Sequence, residues 1–134
     1  MIDFQYINTK KLPISDTPDW LKKVVYSEEK TIGEIVYVFS NNEYLVEKNI
    51  QFLNHNTITD VITFDYCDGK IINGDVLIST ERVSENAKIF NIDFLTELHR
   101  VMVHGLLHLL GYKDKTKKEA ELMRSKENYY LSIR

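Results

Sequence analysis

Cysteine, proline and glycine are scarce in this chain, and each scarcity closes off a class of protein. One cysteine, Cys67, among 134 residues rules out an internal disulfide framework and fits a reducing compartment. With no basic cluster around it, that thiol reads as a small packed or loop residue rather than a reactive one. Two prolines and five glycines are too few for a fibrous or linker-rich chain, and no segment is polar or repetitive enough to stay unfolded. No apolar run reaches the ~18 residues of a membrane span, and residues 1–20 lack the basic start, apolar core and cleavage site of a secretory signal. A cytoplasmic protein with no membrane partner is expected. The net charge of −3 gives no general basic surface for nucleic acid.

What is present is an ordinary globular composition, 43% hydrophobic and 28% charged, in a length that suits one domain over residues 1–134. Residues 2–8, 34–40, 60–66 and 71–80 alternate or concentrate β-branched and aromatic side chains and read as strands. Cys67-Asp68-Gly69 makes a hairpin turn between the last two, because Asp-Gly supplies the positive φ that short loops need. Helices fill the intervals. Their start signals are Thr17 before Pro18, Ser40 with Glu43 as a capping box, Asp93, and Thr116 with Glu119 as a second capping box. A shorter helix is expected from Thr80 to Ile89. The class is therefore α+β: a single domain with one four-stranded mixed sheet and about five helices, its strand order open.

The helix starting after Asp93 carries the chemistry. Phe94, Leu95, Leu98, Val101, Met102, Leu106 and Leu109 form one apolar stripe, and beyond residue 101 the opposite face is apolar too, so its second half should run through the core. His104 and His108 stand four apart on one face, with Cβ atoms about 5–6 Å apart, close enough to converge on one metal ion. Gly105 costs about 1 kcal/mol relative to alanine and points to close approach by a backbone or a ligand. Gly111 stops the helix, and the turn delivers Asp114 as a third ligand. Two imidazoles and one carboxylate leave a position open, as a catalytic zinc requires; the same set also describes non-haem iron. A zinc protease is unlike this chain, since Gly105 stands where that motif has its catalytic glutamate. Glu97 reads as an exposed residue or as a carboxylate holding one imidazole. His99 reads as a spectator across the helix.

The stretch HGLLHLLGYKD, residues 104–114, resembles the hallmark of the YbeY family of metal-dependent endoribonucleases and rRNA maturation factors. TDVITF (59–64), GDVLIS (74–79) and EAELM (119–123) extend the likeness over most of the chain. The resemblance implies one Zn2+ held by His104, His108 and Asp114, with no side chain standing out as general base. It also implies a single-strand-specific endoribonuclease whose partners are ribosomal RNA and the small ribosomal subunit, in 16S rRNA maturation. Lys113 and Lys115, in a basic run from 113 to 126, are placed to meet RNA phosphates. Two positions depart from the family. Asp114 replaces its usual histidine, and a carboxylate there weakens the ion as a Lewis acid. Leu53 replaces an arginine that would grip phosphate bidentately, and His55 nearby reads as a polar loop residue. These departures motivate the alternative of a non-catalytic ribosome-assembly factor with a structural metal.

Overall fold

The computed structural model describes residues 1–53 and 59–134; His55 lies outside the described residues. The elements run β1 (Ile2–Tyr6), α1 (Thr17–Ser27), β2 (Thr31–Ser40), α2 (Asn42–Leu53), β3 (Val61–Asp65), β4 (Ile71–Ser79), α3 (Thr80–Phe90), α4 (Phe94–Leu109) and α5 (Lys117–Ser132). They form the expected α+β arrangement, and the strand order left open by sequence is β1-β2-β4-β3. β1 and β4 pair parallel to β2, while β3 runs antiparallel to β4 across a turn closed by Asp68 and Ile71, with Gly69 at φ 58°. β2 starts three residues earlier than expected, because Thr31 and Ile32 also pair with Ile71 and Ile72 of β4; at the register shift that follows, the exposed Glu34 amide donates to Asn73 Oδ1 at 2.7 Å.

The two middle strands bury alternate side chains on opposite faces, as parallel strands covered on both sides do. Ile35, Tyr37, Phe39, Val76 and Ile78 join the larger core with α1, α4 and α5, whereas Val38 and Leu77 pack with Ile62 of β3 and Leu45 of α2. α4 lies in the larger core and is buried around most of its circumference from Leu98 to Leu109, as its all-round apolar half predicts. Its glycine has a steric reason: a Cβ on Gly105 would fall 2.6 Å from Val76 Cγ1 and 3.4 Å from Thr63 Cγ2. The close approach expected at Gly105 is thus made by sheet side chains, not by a backbone or ligand.

Two expected caps are replaced. Ser40 is buried at the end of β2, and the α2 amide of Tyr44 donates to Asn41 Oδ1 at 2.9 Å instead. Thr17 lies inside α1 rather than at its cap, and its buried hydroxyl pairs with His99 Nε2 at 2.9 Å. The Thr116–Glu119 capping box forms in both directions and fixes the start of α5.

Candidate metal centre

α4 ends in a tight turn that the sequence explains. Gly111, at φ 105°, takes the left-handed position, its amide donates to the His108 carbonyl, and the Tyr112 amide reaches back to the Leu107 carbonyl, both at 3.0 Å. This reversal, followed at once by the capped α5, brings Asp114 back over the histidine face. Asp114 Oδ2 lies 3.3 Å from His104 Nε2 and 3.4 Å from His108 Nε2, and the two Nε2 atoms are 3.1 Å apart.

The partners of the other ring nitrogens decide what these atoms are. His108 Nδ1 lies 3.0 Å from the Tyr112 carbonyl, and His104 Nδ1 lies 2.7 Å from Glu127 Oε2. Both partners accept only, so both Nδ1 atoms carry hydrogens, and each ring turns its Nε2 toward Asp114. Three atoms able to offer lone pairs are thus crowded together, as in a cation-binding set. Ligands about 2.0–2.1 Å from a tetrahedral ion stand about 3.3 Å apart, so these separations fit an ion held by the three. The donor set could hold a metal ion. Burial lowers the His104 pKa, but the hydrogen bond and charge of Glu127, with Asp114 and Asp60, outweigh it and hold the pKa above the ordinary histidine value. In the metal-free protein a proton can therefore serve as the cation.

Glu127 was missed by sequence reasoning, and Glu97 was misread. Glu127 sits with Met123 and Tyr130 on the buried stripe of a mostly polar α5. An acid inside an apolar stripe is the signal that could have found it. Besides His104 it pairs with Arg100 at 3.2 Å. Glu97 is buried rather than exposed and, among the described residues, holds no imidazole and leaves its Oε1 without a hydrogen-bond partner, with Arg100 Nε 3.9 Å away. Burial is the main reason its pKa is raised. His99 is buried between Thr17 and the Leu95 carbonyl, away from the cluster, as a spectator should be. Cys67 is half-buried, with Sγ near the Asn73 and Leu109 carbonyls, and burial raises its pKa.

A second polar cluster supports the turn. Glu28, just past α1, accepts hydrogen bonds from the Tyr112 hydroxyl at 2.6 Å, from the Lys126 ammonium at 3.2 Å and from the Tyr130 hydroxyl. Burial raises its pKa, yet these donors together leave it lowered. Beside the His104–His108–Asp114 cluster opens a cavity of about 410 Å³ that includes His104, Asp114, Arg100, Arg124, Phe90 and Glu97 in its walls. Lys113 and Lys115 are exposed on the turn and do not line it. Leu53 ends α2 with 44% of its surface exposed.

With this geometry in place, comparison with known proteins gives the family. The family model described as endoribonuclease YbeY matches residues 5–133. The chain belongs to the YbeY family. Among its relatives are proteins named endoribonuclease YbeY from Flavobacterium johnsoniae, 52% identical over 134 residues covering 99% of this chain and 96% of that one, and from Bacteroides fragilis, 46% identical over 119 residues covering 89% and 86%. The solution structure of TM1509 from Thermotoga maritima superposes with a TM-score of 0.71 at 26% identity, covering 96% of this chain and 87% of that one. Among the described residues no helix is long and apolar enough to cross a membrane.

Proposed function

We propose that this YbeY-family chain is a zinc-dependent endoribonuclease that cuts single-stranded RNA and acts in 16S rRNA maturation on the small ribosomal subunit, hence in the cytoplasm. The observation that carries it is the convergence of His104 Nε2, His108 Nε2 and Asp114 Oδ2 within 3.4 Å of one another, with both Nδ1 atoms already committed. A zinc ion held by these three residues would act as a Lewis acid on a phosphoryl oxygen and stabilise charge in the transition state. The chain supplies the rest. Glu127 and the Tyr112 carbonyl fix the tautomer and orientation of the two rings. Arg124, exposed at the cavity, with Lys113 and Lys115 on the turn, offers donors to the phosphate backbone. Asp114 makes the site one charge less positive than a three-histidine site, which should slow the chemistry without removing it.

A purely structural metal is the weaker reading. Structural zinc sites close with four protein ligands, whereas among the described residues only three converge, and two of them, His104 and Asp114, border an open cavity. The test is cleavage of an RNA with single-stranded segments by protein whose metal content is measured by elemental analysis. Metal-loaded protein should cut it, and H108A or chelator-treated protein should not. Loaded protein that cuts no RNA beyond those controls would end the endoribonuclease reading, and a full complement of another metal would end the zinc assignment.

A further inference from the structure

One wall of the cavity is left unused by the metal chemistry. Phe90, the last residue of α3, is 58% exposed. α3 buries Val83 and Ala87, and the left-handed Asn91, at φ 53°, ends the helix immediately after Phe90, which leaves the ring at the cavity edge. A single exposed phenylalanine is ordinary. This one is set apart by its company, because the same cavity contains His104, Asp114 and Arg124. Phe52 is comparably exposed, at 57%, but its ring already packs edge-on against Phe64 at 5.7 Å; Phe90 has no ring partner among the described residues.

Arg124 supplies the complementary charge. Its side chain is 60% exposed, and its one ion pair among the described residues is a long one, 3.8 Å to Glu127 Oε1, an atom Arg100 already holds at 3.2 Å. Most of its five N–H donors therefore remain available. A π face and a guanidinium around about 410 Å³, next to a phosphodiester-cleaving centre, match the base and phosphate of a single nucleotide.

We infer that this cavity binds one unpaired nucleotide adjacent to the scissile phosphate, its base stacked on Phe90 and its phosphate held by Arg124. The inference rests on the endoribonuclease reading and gives it a physical source of single-strand preference. A base must leave its duplex partner to lie on the ring, and every base has a face to offer, so stacking selects strandedness before sequence.

The experiment uses the full metal-loaded chain and a single-stranded RNA, with abasic residues placed one position at a time around the cut. F90A should raise KM roughly 5- to 160-fold, the span of one base–aromatic stack, with kcat changed less than about twofold and metal content unchanged. F90W should restore KM, and Y66A, which removes an exposed ring elsewhere, should leave it alone. One abasic position should weaken binding to the native chain and have no further effect on F90A. R124Q should reduce the dependence of log KM on log salt by about one unit. If the native chain cuts RNA and F90A matches it in KM at every abasic position, the nucleotide site is wrong and the endoribonuclease reading stands. A loss of metal in F90A would also overturn the site, and a native chain that cuts no RNA would overturn both.

Discussion

His104 and His108 lie one turn apart on the same helix and are held by opposite means. His104 is tied to a side chain from another element, the Glu127 carboxylate of α5, at 2.7 Å, while His108 is tied to a main-chain carbonyl in its own helix's terminal turn, at 3.0 Å. The first tie brings charge. It sets how strongly His104 holds a proton and how well it donates to an ion, and one substitution removes it. The second brings geometry, is immune to substitution at Tyr112 itself, and depends on the turn that Gly111 makes and Glu28 braces. The same donor atom thus reaches the site through electrostatics in one case and through backbone conformation in the other.

The two ties should fail at graded cost. The largest effect is expected from H104A or H108A, each removing one of the three proposed ligands and lowering metal affinity by more than roughly 100-fold, seen by competition with a chromophoric chelator. Next comes Glu127. E127A should cost about 10- to 100-fold in metal affinity, the usual toll of losing the carboxylate behind a ligating histidine, and E127Q less, because the amide oxygen still accepts from Nδ1. If E127A binds metal like the native chain, the tie is incidental.

A pH series sharpens the electrostatic half. Because the folded-state pKa of His104 is raised, protons should compete with the metal from a higher pH than for an ordinary histidine, and affinity should fall as pH falls through that range. E127Q should move this midpoint down. In the metal-free protein the sign reverses. A raised pKa stabilises the fold fully below the ordinary histidine value, about 6.5, and that contribution is lost as pH rises through the folded-state pKa, which chemical unfolding at several pH values would record.

The smallest effect on the site should follow from the backbone half. Y112F removes the hydroxyl donated to Glu28 but leaves the carbonyl that His108 uses. It should destabilise the chain by about 1–2 kcal/mol in urea unfolding while changing metal affinity less than about threefold. A loss as large as that of E127A would mean that the two histidines are held alike.

Much of this was legible in the residues. The strands, the hairpin at Asp68-Gly69, the buried second half of α4, and the reversal at Gly111 into a capped α5 are local matters of periodicity and turn chemistry, and they reappear where expected. The caps failed where burial competed. Ser40 and Thr17 are good cap residues in isolation, yet packing drew both into the interior and left Asn41 to accept the α2 amide. Gly105 announced a close approach but not the Val76 methyl that makes it. The two acids were the harder case, since a glutamate in a helix reads as solvated unless its neighbours three and four residues away are known to be buried.

Interactions within a few residues are enough to form the helices and strands, to place two imidazoles on one helical face, and to return a carboxylate to them across a turn, so these features could be read along the chain. The tertiary structure alone decided the strand order, the choice of Glu127 over Glu97 behind His104, the bracing of the turn by Glu28, and the gathering of Phe90 and Arg124 around one cavity. The side-chain groupings among them join residues separated by 23 to 102 positions along the chain. Only the packing of α4 between the sheet and α5 brings such distant groups within hydrogen-bonding range.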